Sequence, residues 1–188
     1  ASVSVWHRGE EIFHRSHGHR DRQKSGPWTD DTIAPFWSVT KGLSAICALT
    51  ALPESGHALE EPIVSIWPEF GAGGKKSVTF AQVLSHQAGI PAVDGGHSIF
   101  DYEGVIGAIE KQAPHWFPGT KHGYHSRIFG FLLDEIVRRT SGAKSLGEFW
   151  RARFAEPLGL DLWIGLPEEH HGRVAALSPG MLRDMGEE

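Results

Sequence analysis

One cysteine, Cys47, is all the chain has, so no internal disulfide can brace it, and its apolar neighbours make it a buried, inert thiol. No apolar run approaches the roughly 20 residues a membrane-spanning helix needs. There is no excess of positive charge: 18 Lys and Arg face 23 Asp and Glu, a net charge of −5, which argues against a nucleic-acid surface. No secretory leader opens the chain, and the reading is of a cytoplasmic protein. The first residues alternate as a strand with no initiator methionine, so the natural start need not be Ala1. Internal repeats and low-complexity tracts are also missing. What is present, 188 residues of which 40% are hydrophobic and 22% charged, suffices for one domain with a real core.

The order of elements can be read from periodicity and turn residues. Ser2-Val3-Ser4-Val5-Trp6 alternates with period two, so residues 2–7 and 10–15 are expected as two short strands around Arg8-Gly9-Glu10. Residues 16–31 are a polar loop marked by Gly26-Pro27. A helix starting at Ser38 runs to about Pro53; its small and apolar residues predict burial nearly all round. Leu59 leads into a short helical segment ending near Phe70, and Gly71–Gly74 is a loop. Thr79 is a good N-cap for a helix over Phe80–Ser85. Tyr102–Gln112, Ser126–Thr140 and Leu146–Phe154 follow as helices, the second stopped by Ser141-Gly142. Two strands alone leave an open sheet face and edge, so the helices need more sheet than this chain supplies.

The chemistry-bearing feature is Ser38-Val39-Thr40-Lys41. On a helix, residues three apart share a face, so serine and lysine come within reach of each other. A serine hydroxyl is a weak nucleophile until a base takes its proton, and a lysine serves only when burial or a neighbouring cation lowers its pKa. Lysine at the head of a buried helix is costly unless it is used or paired. Farther along, Gly123-Tyr124-His125-Ser126 places a tyrosine before a helix, where its hydroxyl can either cap or, facing a lysine, relay a proton.

Taken together, Trp37-Ser38-Val39-Thr40-Lys41-Gly42, Val83-Leu84-Ser85-His86-Gln87-Ala88-Gly89-Ile90-Pro91 and Pro118-Gly119-Thr120-Lys121-His122-Gly123-Tyr124-His125-Ser126 resemble the serine β-lactamase-like superfamily, and within it family VIII carboxylesterases. Glu156-Pro157-Leu158-Gly159-Leu160 and Trp163-Ile164-Gly165-Leu166-Pro167 are similar too, so the resemblance covers almost all of residues 1–170. It implies the class C β-lactamase and DD-peptidase fold: an α/β protein of α+β type, with an antiparallel sheet flanked by helices and a helical subdomain. It implies Ser38 as the acylated nucleophile, Lys41 and Tyr124 as a coupled proton-handling pair, and the Ser38 N–H as half of an oxyanion hole. Trp37 and Trp116 become candidates to line an acyl pocket, though core packing suits both equally.

Two departures from the family's pattern shape the expected activity. The usual Tyr-x-Asn is here Tyr124-His125-Ser126, and the Ser126 hydroxyl is shorter and less directional than an amide. That favours esters over lactams and peptides. The late Lys-Thr-Gly or His-x-Gly strand, which supplies the second oxyanion N–H, is not found. The expectation is therefore an incomplete domain over 1–188. Residues 1–58 would hold the strands and nucleophile helix, 59–165 the helical subdomain, and 166–188 a loop toward missing strands supplied by a further segment or partner chain. The expected reaction is hydrolysis of a small-molecule carboxylic ester through an acyl-enzyme, with no cofactor. Rival readings are a β-lactamase or DD-peptidase, and a non-catalytic binding member of the fold. His14, His17 and His19 have ligand-like spacing but fall at a strand end and in a charged loop, so no metal is expected. Adjacent Ser85 and His86 do not form a nucleophile–base pair; packing and hydrogen bonding are expected of them.

Overall fold

The computed structural model describes residues 1–177 and divides into two compact units. The first comprises residues 1–36 and the segment from Leu166 onward; the second runs from Trp37 to Gly165.

In the first unit, β1 (Ser2–His7) and β2 (Glu10–Ser16) form an antiparallel hairpin in which Ser2 pairs with Ser16 and Val5 with Phe13. The joining Arg8 and Gly9 both have positive φ, 51° and 85°, a twist that suits a two-residue hairpin turn. A bulge between Val5 and Trp6 shifts the register. Later in the chain, Ile33 bridges Val174: the Ile33 N–H donates to Arg173 O, and the Ala175 N–H to Ile33 O. His14 is held by Glu11 and Asp30. Among the described residues no group of three or more His, Cys, Asp or Glu side chains gathers as metal ligands, and no helix is long and apolar enough to cross a membrane.

The second unit is helical. Its frame is α1 (Thr40–Glu54) packed along α4 (Ile128–Ser141), with α2 (Phe80–Leu84), α3 (Tyr102–Lys111) and α5 (Leu146–Trp150) around them. The buried face of α1 is mostly small residues, Ser44, Cys47, Ala48 and Ala51, which let the neighbouring helix approach closely, with Leu52 at its end. Against it α4 sets Phe129, Leu132, Leu133, Ile136 and Val137, an apolar stripe at helical spacing. Burial raises the Cys47 thiol pKa to about 12. Thr79 and Gln82 close a reciprocal capping box on α2, each backbone N–H donating to the other's side chain at 3.2 Å. Gly142, at φ 75°, ends α4 in the left-handed region.

Several expectations need correction. Gly71–Gly74, expected as a loop, belongs to a 3-10 stretch over Pro68–Gly74 that kinks at Ala72 and Gly73, where Gly73 takes φ 63°. The helix at Ser38 begins only at Thr40, after a 3-10 turn over Trp37–Val39. It is not buried all round: Ile46 and Leu49, on the face opposite the α4 contact, stand 44% and 47% exposed. The helix expected from Ser126 begins at Ile128, because the backbone just before it is held by another loop instead of by its own ladder.

A polar frame fixes the surrounding loops. Tyr102 donates its hydroxyl to Asp134 at 2.6 Å and to Glu135 at 3.0 Å, tying α3 to α4, and Asp134 in turn accepts the Leu146 N–H at the head of α5. Lys75 is fully buried, and its ammonium donates to Ala72 O, Glu110 O and Gln112 O. Burial pulls the Lys75 pKa down to about 8, against the opposing pull of Glu110.

Candidate active site

Ser38 lies in the 3-10 turn that feeds α1, and Lys41 follows one turn later. The Lys41 Nζ donates to Ser38 Oγ at 3.2 Å. The same nitrogen sits 4.8 Å from the centroid of the Tyr124 ring. Hydrogen bonding from Lys41, and next from Ser38, holds the Tyr124 phenol pKa below its ordinary value by favouring the phenolate. Ser38, Lys41 and Tyr124 are thus brought together. Lys41, expected to be buried, is only partly so, because it stands at the open end of its helix.

The residue before Ser38 carries backbone strain. Trp37 has φ 50°, a region costly for a bulky aromatic residue, and strain of this kind persists only where the surroundings enforce it. Its indole is 73% exposed beside Ser38, free of the core packing that was the other expectation for it. Trp116 sits differently. Its indole N–H donates to Lys121 O at 3.0 Å, closing the loop that leads to Tyr124. The ring lies against Gly123 so closely that a Cβ there would come within 2.5 Å of it. Trp116 therefore supports the Tyr124 segment. Ser126 is exposed in the turn before α4.

Residues that sequence reasoning did not join to the site hold Tyr124 in place. The Gly123 N–H donates to His86 O, and the His125 N–H to His86 Nδ1, both at 3.1 Å. The Ile90 N–H donates to His125 Nε2 at 3.2 Å, and His125 Nδ1 to Gly123 O at 2.6 Å. His125 is fully buried. The His86 pKa is pushed down to about 4, first by burial and then by His125, His122 and Lys41. His125 is also lowered, chiefly by burial, with the Gly123 carbonyl acting the other way. Ser85 donates to Ala81 O and takes no part. The sequence signal for His86 was its motif; for His125 there was none beyond its place beside Tyr124. A separate cavity, lined by Ala51, Glu54, Thr140, Phe149 and Arg153 among others, lies at the far end of α1 and contains none of these groups.

Several known proteins are similar to this chain. The esterase/beta-lactamase LipL of Mycobacterium tuberculosis is 30% identical over 170 residues, spanning 88% of this chain and 39% of LipL. A penicillin-binding protein homologue from Caulobacter crescentus superposes with a TM-score of 0.87 at 35% identity, over 96% of this chain and 49% of that one. A family VIII carboxylesterase superposes with a TM-score of 0.79 at 38% identity, over 85% of this chain and 45% of that one. The chain spans less than half the length of each of these three proteins. The fold is that of β-lactamases and transpeptidases, mixed in helix and strand with a small antiparallel sheet. A model of the Beta-lactamase family matches residues 1–186, and the chain belongs to that family.

Proposed function

We propose that this chain carries the nucleophile and proton-handling pair of a serine hydrolase that cleaves carboxylic esters. The observation that carries the reading is the close grouping of Ser38, Lys41 and Tyr124. Ser38 Oγ attacks the ester carbonyl carbon while its proton passes to the Lys41–Tyr124 pair. The tetrahedral oxyanion is met by the Ser38 N–H, a donor whose counterpart typically contributes about 10²–10³ in rate. Collapse of the intermediate breaks the bond to the alcohol oxygen, which leaves with the proton the pair has held. Water then attacks the acyl-serine and gives up a proton to the pair; the bond to Ser38 Oγ breaks, the pair returns that proton to Oγ, and the acid leaves. Lys41 serves this cycle by its charge, which favours the phenolate of Tyr124.

Ester over lactam is supported by Ser126 standing after Tyr124 and by similarity to a protein described as a family VIII carboxylesterase. A further polypeptide segment or partner chain would complete the sheet and supply the second oxyanion donor. The test is mass spectrometry after treatment with a fluorophosphonate, beside turnover of a short-chain p-nitrophenyl ester and of a β-lactam. Covalent mass on Ser38, lost in Ser38→Ala, with ester turnover exceeding lactam turnover, is the expected result. Mass on another serine, or none, would overturn the assignment, and faster lactam turnover would replace the ester with an amide substrate.

A further inference from the structure

Both backbone amides that flank Tyr124 end on one residue, His86: the Gly123 N–H on its carbonyl, the His125 N–H on its Nδ1. His86 itself has φ 60°, so its backbone turns sharply after α2 and presents carbonyl and ring to the same segment. The His86 ring is fixed between Tyr124, at 5.0 Å between centroids, and Phe129 of α4, at 4.6 Å. His125 closes the device from the other side by returning to Ile90.

The protons on these rings follow from their partners. His86 Nδ1 accepts from an amide N–H, so it carries no proton, and the neutral ring is protonated on Nε2. His125 Nδ1 faces a carbonyl, which can only accept, so the proton is there, and Nε2 accepts from Ile90. A second proton on either ring would set N–H against N–H and break one of these bonds. Burial discourages it first, and so do His125 and His122 from the following segment and Lys41 from α1; the Tyr124 ring also faces His86.

We propose that His86 and His125, locked as neutral imidazoles in opposite tautomers, are positioning residues that hold Tyr124 against Lys41 and Ser38. They touch no reacting atom; they act by fixing the backbone on both sides of the phenol. The proposal rests on the hydrolase reading above. Misplacing a catalytic group by about 1 Å can cost on the order of 10²-fold in rate. His86→Ala keeps the carbonyl but loses the ring acceptor. His86→Asn restores an acceptor near the Nδ1 position and tolerates positive φ.

The test measures, on this chain together with the segment or partner chain that completes its sheet, the rate at which a fluorophosphonate labels Ser38, and separately the imidazole nitrogen shifts by long-range ¹H–¹⁵N NMR. Expected are labelling slowed by roughly 10²-fold in His86→Ala and largely recovered in His86→Asn. In the parent, His86 should be bare on Nδ1, and His125 bare on Nε2. His86→Ala labelled within about threefold of the parent, far less than the 10²-fold expected of a displaced phenol, would overturn the proposal. So would failure of Asn to improve on Ala, or a proton on His86 Nδ1. The NMR result does not depend on activity. If the parent itself fails to label while both tautomers are found as stated, the hydrolase reading falls and the role in catalysis falls with it.

Discussion

Replacing Lys75 by methionine tests the buried frame, because it keeps the length of the side chain while removing its charge and its donors. The ammonium meets three carbonyls, those of Ala72, Glu110 and Gln112, at 2.8, 3.0 and 2.5 Å. The Glu110 carbonyl sits at the end of α3, where the residue four positions on is Pro114, which has no N–H to offer. Hydrogen bonds from a charged group are worth about 1.5–3 kcal/mol each. Opposing them is the cost of burying the charge, about 3 kcal/mol from a pKa drawn down from 10.5 to about 8. On balance Lys75→Met should destabilise the chain by about 1.5–6 kcal/mol, a fall in Tm of roughly 3–24 °C for a chain of this size. The pH dependence has a definite sign. The folded state releases the Lys75 proton before the unfolded state does, so the parent gains stability from about pH 8 up to the unfolded value of 10.5. The methionine variant lacks that gain, and the gap between the two should widen over that window. Thermal or denaturant unfolding at pH 7 and pH 10 measures both effects. A variant as stable as the parent at pH 7, or a gap that narrows with rising pH, would refute the reasoning.

Two further predictions concern the site. In Lys41→Met the phenol loses the contact that lowers its pKa, so the acid limb of the pH–rate profile should move toward higher pH, with the rate down by about 10²–10⁴; a limb that stays in place would mean that Tyr124 is not the titrating partner. Gly89 has φ 81°, and a Cβ there would lie 2.6 Å from Trp116 O and 2.9 Å from Pro114 Cβ. Gly89→Ala should therefore cost on the order of 2–4 kcal/mol and slow Ser38 labelling by shifting the loop toward Tyr124; unchanged unfolding would show that the loop yields freely.

What could be read in the sequence was local. The alternation in residues 2–7 and the Arg8-Gly9 turn gave the hairpin to within a residue of Ser2–His7 and Glu10–Ser16. Thr79 marked the start of α2, and Ser141-Gly142 the end of α4. The spacing of Ser38 and Lys41 was enough to expect their contact. Tyr124 lay beyond spacing arguments, and only motif resemblance linked it to them. The rest depended on partners far along the chain. Lys75 follows the glycine-rich 3-10 stretch Pro68–Gly74, and nothing near it in sequence announces the carbonyls of Glu110 and Gln112. The turn before α4 departs from the helical pattern because Gly123 and His125 are bonded to His86. Periodicity records how a segment buries its own face, and is silent on which distant amide or carbonyl will meet it.

Cys47 has a practical consequence. Its sulfur is wholly enclosed between α1 and the rest of the helical unit, and its pKa of about 12 leaves almost no thiolate at neutral pH. A thiol reagent in solution can therefore react only in the moments when the helices part. The modification rate becomes a clock for that parting, read without any engineered label and without background from a second thiol. Run against the variants above, that clock would separate changes that loosen the core from changes confined to the loop around Tyr124.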